Sequence, residues 1–251
     1  MAWDLTGKVA IVTTDTEEEG ITSAEGLLRA GARVAVWDPD PADLDVARRE
    51  LEASGLTAEY RVVDLTDLAA VQAAYEAVRR GLGEVDVLVN HATLRNPHMM
   101  GPENPWPHKP VEFWNLNVDR FRELIEINLM GMYLCTRVAA AAMVARGRGS
   151  ILTHSTSDST KTTPFNQPYG ASKAFVEAFC AAAATGLQPH GVRCNVFMSA
   201  GRTNRRGVHD PENQAYDCMV PIIQYLASDE SRDVTGQVLS PLNFASPAVP
   251  G

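Results

Sequence analysis

The stretch IVTTDTEEEG, residues 11–20, shows how this 251-residue chain begins to fold. Its β-branched start predicts a strand, and the polar residues that follow predict a turn into a helix. Turns of this kind often carry glycines, yet Glu17, Glu18 and Glu19 precede the single Gly20. Carboxylates in the first helical turn satisfy free N–H groups and the positive end of the helix dipole. The glutamates therefore favour the helix start without any ligand.

Outward from this unit, short β-rich runs alternate with amphipathic helical stretches. The runs cover residues 8–14, 33–37, 59–63, 85–90, 150–155, 192–197 and 236–240. Such alternation predicts parallel strands with right-handed helical crossovers, in a doubly wound α/β sheet with helices on both faces. Ligands of these sheets bind beyond the carboxyl ends of the strands, where the strand order reverses. Residues 11–20 are therefore expected to line the ligand crevice.

The composition indicates one domain over residues 1–251, because 45% hydrophobic and 21% charged residues suit a single full core. A Pro- and Trp-rich excursion at about residues 94–116 is expected to be a long surface loop. The net charge of −9 argues against nucleic acid as a partner.

The expected location is cytoplasmic. The start, MAWDLTGK, has no signal pattern, and the alanine-rich runs 138–145 and 179–187 are too short to span a bilayer. Four separated cysteines without a C-x-x-C pair suit reduced, buried thiols, so no metal site is expected.

The clearest chemical motif is YGASK, residues 169–173. Residues four apart on a helix share a face, so the Tyr169 phenol and the Lys173 ammonium can occupy one site. A nearby cation favours the phenolate, which makes a tyrosine usable as an acid and base near neutral pH. A Tyr and a Lys at this spacing more often lie on an ordinary solvated helix face. The motif therefore indicates a function only together with the sequence around it.

That context resembles the short-chain dehydrogenase/reductase family over nearly the whole chain. The landmarks occur in order: DLTGKVAIVT, VDVLVN, INLMGMYLCTRV, HSTSDST, YGASKA, VRCNV and YLASDESRDVTGQVL. The resemblance implies a Rossmann-type fold in which Tyr169 is the general acid and base. Lys173 would lower the pKa of Tyr169 and hold the nicotinamide ribose, and Asn128 would organise a proton-relay water. The family's catalytic serine falls on Thr156, which keeps the hydroxyl but adds a methyl group that restricts its rotamer.

The nucleotide-binding turn departs from the family pattern. T-G-x-x-x-G-x-G falls on residues 13–20, where Thr14 and Glu18 replace two glycines and only Gly20 remains. Glycines let the backbone approach the pyrophosphate, and the helix start meets its charge. A carboxylate about 5 Å from a phosphate costs about 3 kcal/mol at an effective dielectric near 20. The turn is therefore degenerate, and binding of NAD by this chain is expected to be weak or absent.

Other positions at which the family contacts its cofactor or substrate also depart from the family pattern. The family's N-N-A-G reads Asn90 to Thr93, which replaces a glycine beside the cofactor, although Asn90 keeps its cofactor-binding position. The intervening His91 is interpreted as a hydrogen-bonded structural residue rather than a new acid or ligand. The family's Pro-Gly becomes Ser199 and Ala200, and the substrate lid, about residues 200–217, is shorter than is usual in the family.

Two acidic cofactor positions persist. By resemblance Asp38 accepts the adenosine ribose hydroxyls, which would select NAD over NADP, and Asp64 contacts the adenine. Each has an alternative interpretation: Asp38 opens a turn before Pro39, and Asp64 caps the helix after the third strand.

Three hypotheses follow, in order of preference. The first is a catalytically silent or weakened subunit that assembles with an active paralogue, as in heteromeric family members, some of which oxidise hydroxyacyl-CoA substrates. The second is an active NAD-dependent alcohol or ketone oxidoreductase with an unusual phosphate loop. The third is a non-redox lyase or dehalogenase-like enzyme that uses Tyr169, Lys173 and Thr156 for proton transfer.

An oligomer is expected under the first hypothesis, a tetramer by family habit. The helices from Asn128 and from Lys173 carry the small and apolar residues that pack between family subunits. A plain homotetramer would use the same faces. Trp106 and Trp114 in the long loop are candidate contacts with a partner or substrate.

Overall fold

The computed structural model describes residues 3–14, 19–93, 112–162, 167–198 and 219–245. Within these residues a seven-stranded parallel sheet has the order β3-β2-β1-β4-β5-β6-β7. The strands are β1 Val9–Thr13, β2 Arg33–Asp38, β3 Glu59–Val62, β4 Val87–Asn90, β5 Gly149–Ser155, β6 Val192–Met198 and β7 Val238–Leu239. The predicted doubly wound sheet is confirmed.

Helices cover both faces of the sheet. They are α1 Glu19–Arg29, α2 Pro41–Ala53, α3 Leu68–Gly81, α4 Val118–Ile125, α5 Met132–Arg146, α6 Asp158–Lys161, α7 Gln167–Leu187 and α8 Val220–Ala227. One apolar cluster joins the sheet to α1, α2 and α8, and a second joins its other face to α3, α5 and α7. The inner strands β1, β2, β4, β5 and β6 therefore alternate their side chains between two buried layers, which explains their nearly continuous apolar sequences.

Local residue chemistry sets several element ends. Asp40 caps α2 by accepting from the Ala42 N–H, and Pro41 occupies the first helical position. Asp67 caps α3 in the same way, so the predicted helix cap at Asp64 is wrong. β7 is shorter than the predicted run 236–240, because Gly236 has a φ of 71° and forms a turn before it.

α4 and α5 form one continuous helix, Val118–Arg146, joined by a π-helical turn at Glu126–Gly131. Asn117 begins it by accepting from the Asp119 and Arg120 N–H groups. The alanine-rich run 138–145 is therefore part of a longer helix, which by length and composition alone could cross a membrane. Its α5 segment packs on α3 and on the sheet, as core helices of soluble proteins do.

Several predicted features lie wholly or partly outside the described residues. They are Glu17, Glu18, Trp106, Ser199, Ala200, the shortened lid and most of the 94–116 loop. At the end of that loop Phe113–Asn115 form one 3₁₀ turn, where Phe113 and Trp114 are exposed.

Candidate active site

The candidate site lies at the carboxyl ends of β1, β4 and β5, where the strand order reverses. The strand register places Asn90 beside both Thr13 and Thr153. The Thr13 hydroxyl oxygen accepts the His91 and Ala92 N–H groups, each at 3.1 Å. Thr13 therefore fixes the chain as it leaves β4, and the ends of these strands form the floor of the crevice.

Tyr169 and Lys173 lie one helical turn apart in the first part of α7. Tyr169 is 4% exposed and Lys173 is 3% exposed. The Lys173 Nζ lies 5.5 Å from the centre of the Tyr169 ring and donates to the His154 carbonyl oxygen at 3.1 Å. The helix and β5 thus hold a buried cation against the phenol, as the motif predicts.

Asn128 joins this pair through a residue that the sequence analysis missed. Its Nδ2 donates to the Ser172 Oγ at 3.1 Å, and the Ser172 hydroxyl donates to the Tyr169 carbonyl oxygen at 2.7 Å. Asn128 itself lies in the π-helical turn, a distortion that is frequent at functional sites. The turn therefore aims the Asn128 amide at the Ser172 hydroxyl, which links it to the Tyr169 carbonyl oxygen of α7.

Thr156 follows β5 directly and is buried. It lies two residues beyond the carbonyl group that Lys173 contacts, so its segment borders the Tyr169–Lys173 pair. The preceding Ser155 donates to Glu177 Oε1 on α7 at 2.6 Å. This hydrogen bond attaches the end of β5 to α7 immediately before Thr156.

Lys161 fixes the other end of the same segment. Its Nζ donates to Glu177 Oε1 at 2.6 Å and to Asp158 Oδ1 at 2.8 Å. Burial opposes the charged form of Lys161, but the hydrogen bonds to Asp158 and Glu177 and the negative charges of these carboxylates together outweigh burial and raise the pKa of Lys161. A Cβ added to Gly170 would overlap the Lys161 carbonyl oxygen, so backbone and helix are in direct contact there. The segment that carries Thr156 is thus attached to α7 at both ends.

The adenosine side of the crevice has a different arrangement. Thr14 Oγ1 donates to Asp38 Oδ2 at 2.8 Å, and Asp38 Oδ1 accepts the Asp40 N–H at 2.8 Å. Asp38 is only 1% exposed, and burial raises its pKa to about 6. Thr14, which replaces the first glycine of the family pattern, therefore already donates a hydrogen bond to Asp38, the carboxylate that is expected to accept the ribose hydroxyls. A ribose can reach Asp38 only if these groups move.

Gly20 also contacts Thr14. A Cβ added to Gly20 would lie 2.8 Å from Thr14 Cγ2. The surviving glycine of the turn therefore makes room for the Thr14 methyl group, a packing role that needs no phosphate.

Asn90 and His91 are held by protein groups. Asn90 Nδ2 donates to Thr136 Oγ1 at 2.9 Å and lies 3.3 Å from Thr153 Oγ1. The His91 ring stacks on the His154 ring with centroids 4.3 Å apart, and its Nδ1 lies 3.0 Å from Ser23 Oγ. These contacts agree with a structural role for His91. Thr93, the branched residue at the fourth motif position, is also buried.

Asp64 is exposed and serves a local turn. Its Oδ1 accepts the Thr66 hydroxyl at 2.6 Å and the Thr66 N–H at 2.9 Å. The hydrogen bond from the Thr66 hydroxyl is the main reason that the pKa of Asp64 is lowered. Contact with adenine stays a prediction for this residue.

The two sides of the site differ in how well they fit a dinucleotide. Around Tyr169 the Lys173 ammonium, the phenol and the Asn128 amide lie together, which is the grouping that the family resemblance predicts for the nicotinamide ribose. Around Asp38 the carboxylate is closed off by Thr14. As folded, the described residues fit only part of the cofactor.

Comparison with known proteins gives the same fold. The family model for short chain dehydrogenases matches residues 8–206. The gluconate 5-dehydrogenase of Gluconobacter oxydans is 29% identical, and the alignment covers 94% of each chain. The hydroxyacyl-CoA dehydrogenase ChsB1 of Mycobacterium tuberculosis is 31% identical over 94% of this chain and 77% of its own.

A solved structure agrees in shape. The gluconate 5-dehydrogenase from Burkholderia cenocepacia, in complex with NADP and tartrate, superposes with a TM-score of 0.76 at 24% identity. The superposition covers 94% of both chains. At this identity the likeness concerns the fold.

Proposed function

Because this chain belongs to the short-chain dehydrogenase/reductase family, we propose that it is a subunit of an NAD-dependent dehydrogenase in which its own nucleotide binding is weakened. An active paralogous subunit then carries out the chemistry on an alcohol or a hydroxyacyl-CoA-type substrate. The observation that carries this proposal is the hydrogen bond from Thr14 to the buried Asp38 carboxylate.

The energy of the Thr14–Asp38 hydrogen bond determines how much it can weaken NAD binding. A hydrogen bond to a charged group contributes about 1.5–3 kcal/mol. If the ribose must displace it, NAD binding weakens by about one to two orders of magnitude. The sequence adds repulsion between the glutamates of residues 17–19 and the pyrophosphate. The two effects act on different parts of the same ligand and reinforce each other.

An exposed apolar surface supports assembly with a partner. Met130, Tyr133 and Phe175 are each exposed by more than a third on the π-helical turn, α5 and α7. Phe179 lies between two of them, with its ring 6.0 Å from Tyr133 and 5.8 Å from Phe175. Aromatic residues exposed together in this way are typical of protein interfaces. A tetramer that includes the active paralogue is the assembly that we propose, and a plain homotetramer is the alternative that would use the same surface.

Calorimetric titration of NAD into the isolated chain tests the proposal directly. We expect a dissociation constant weaker than about 1 mM, equivalent to less than about 4 kcal/mol of binding free energy. A low micromolar constant would overturn it. Mass spectrometry of the complex isolated from native cells tests the partner, and recovery of an active homo-oligomer with bound NAD would exclude a silent role.

A second candidate function rests on the opposite side of the site. Tyr169, Lys173 and Asn128 keep a buried, connected arrangement, which favours an active alcohol or ketone oxidoreductase. In that case Tyr169 exchanges a proton with the substrate oxygen, and Lys173 supports its charged form. Turnover of polyols or hydroxyacyl-CoA compounds by the purified chain with NAD would favour this candidate over the first.

A further inference from the structure

A small charged pocket lies at the amino-terminal ends of the strands, on the side of the sheet opposite to the candidate active site. Its volume is about 130 Å³, and four cations and two carboxylates line it: Lys8, Arg148, Arg193, Arg232, Asp86 and Asp229. The lining therefore has an excess of two positive charges, although the chain as a whole carries −9. Pockets for drug-sized ligands usually hold about 300–1,000 Å³, so this one suits only a small anion.

The two carboxylates already have partners. Asp86 Oδ2 accepts the Val9 N–H at 3.1 Å, and its Oδ1 lies 3.3 Å from Arg146 Nη1. Arg146 does not line the pocket, so part of the Asp86 charge is neutralised from outside it, and the exposed Arg148 of the lining lies farther from the same oxygen, at 3.8 Å. Asp229 pairs with Lys8 at 2.6 Å, but its side chain is 91% exposed. An exposed ion pair of this kind contributes little to stability and can be exchanged for another anion.

Arg193 is the fixed cation of the pocket. Its Nη2 donates to the Leu226 carbonyl oxygen at 2.8 Å and to the Ser228 carbonyl oxygen at 3.2 Å. Its Nη1 is buried and has no hydrogen-bond partner among the described residues. Burial lowers the pKa of Arg193 to about 10, so the group is still charged at neutral pH. A half-buried guanidinium with unused donor capacity favours an oxyanion beside it.

We propose that this pocket binds a phosphate dianion, either inorganic phosphate or the phosphate group of a small monoester. Two surplus cations balance a dianion, and arginine guanidinium groups match the geometry of phosphate oxygens. Arg148 and Arg232 are exposed at the rim and can close on the ligand. Asp229 competes with the phosphate for Lys8. The site is separate from the dinucleotide crevice and does not depend on the proposed function.

Binding there stabilises the fold, because the pocket joins the starts of β1, β5 and β6 to the end of α8. Thermal unfolding in increasing inorganic phosphate, against sodium chloride at equal ionic strength, measures the effect. We expect a melting temperature that rises with phosphate as mass action requires. Glycerol phosphate in a parallel series distinguishes the sources: an equal response indicates a monoester, and a response to inorganic phosphate alone indicates the free ion.

Charge-matched variants make the test specific. The double variant Arg148→Ala, Arg232→Ala should weaken the apparent phosphate affinity by about tenfold or more, as expected for lost charge-assisted contacts. The control Arg79→Ala, Arg120→Ala removes two exposed helix arginines elsewhere and should keep the full response. Both variants change the net charge equally.

A variant that improves binding completes the design. Asp229→Asn removes the competing carboxylate and should tighten phosphate binding by several-fold, whereas a purely structural ion-pair cluster would only lose stability. The proposal is overturned if phosphate stabilises no more than chloride does, or if the control pair loses the response equally.

Discussion

The catalytic side and the adenosine side of the site satisfy their buried polar groups in different ways. On the catalytic side Lys173 bonds to a backbone carbonyl group and Asn128 to Ser172, so the phenol of Tyr169 stays beside a cation. On the adenosine side the Asp38 carboxylate takes its donors from Thr14 and from the Asp40 backbone. A buried carboxylate needs such donors whether or not a ligand is bound. In this chain Thr14 supplies the donor from within the protein.

The difference teaches that one substitution can change both the shape and the chemistry of a nucleotide site. Thr14 adds a methyl group that rests against Gly20 and a hydroxyl that bonds to Asp38. Both groups lie at the ends of β1 and β2, away from the helix α7 that carries Tyr169 and from the end of β5 that precedes Thr156. Under the proposed function, this chain keeps its fold and the arrangement around Tyr169 while its affinity for the cofactor is weakened.

The largest expected effect separates the two proposed functions on the catalytic side. Tyr169→Phe removes the phenol that would transfer the proton, and loss of a general acid and base costs about 10²–10⁴-fold in rate. If the chain is silent, the variant leaves turnover of the purified complex almost unchanged. Rates of wild-type and variant complexes, with the melting temperature as a folding control, measure this. A fall of several orders of magnitude would show that this chain performs the chemistry.

The next prediction concerns the adenosine side and separates shape from hydrogen bonding. Thr14→Val keeps the bulk but removes the donor to Asp38, Thr14→Ser keeps the donor but removes the methyl group, and Thr14→Gly removes both. We expect Thr14→Gly to tighten NAD binding by about tenfold or more, since displacement of a charge-assisted hydrogen bond is no longer needed. Titration of NAD by calorimetry compares the series.

The series also shows which property of Thr14 matters. If the hydroxyl closes the site, Val should gain nearly as much affinity as Gly while Ser gains little. If the methyl group closes it, the order reverses. No gain in any of the three variants would place the obstacle elsewhere, for instance at Glu18, and the Thr14–Asp38 account would be wrong.

The sequence predicted the fold well because alternating elements and ordered landmarks depend only on local pattern. It also predicted that Tyr169 and Lys173 share a face, which follows from helical spacing. It did not show the Thr14–Asp38 hydrogen bond, because these residues are 24 positions apart and meet only through the pairing of β1 with β2. The role of Ser172 depends on the π-helical turn at Asn128, and local sequence pattern did not reveal that distortion.

A smaller effect tests the packing on the catalytic side. Gly170→Ala places a Cβ against the Lys161 carbonyl oxygen and should destabilise the protein by about 1–3 kcal/mol, the usual cost of overpacking. Gly186→Ala in the same helix is the matched control, because nothing lies within 4 Å of its added Cβ. That control should stabilise the helix by about 0.5–1 kcal/mol. Urea unfolding of both variants gives the free energies, and equal effects would contradict close contact at Gly170.

The smallest effect concerns the titration of Asp38 on the adenosine side. Burial raises its pKa in the folded protein to about 6, above the model-peptide pKa of about 3.9 for an unfolded chain. The folded state therefore binds the proton more tightly, and the stabilisation present below the unfolded pKa is lost as the pH rises through about 6. Between pH 5 and 7.5 this loss amounts to about 1 kcal/mol.

Asp38→Asn isolates the contribution of Asp38 to the pH dependence of stability, because the amide cannot ionise and every other titrating group stays in place. Urea unfolding of both proteins at pH 5 and 7.5 should show the variant gaining about 1 kcal/mol relative to wild type at the higher pH. A gap that does not change with pH would mean that the Asp38 carboxylate is solvated in solution. The carboxylate would then be open to a ribose, and the contrast between the two sides of the site would disappear.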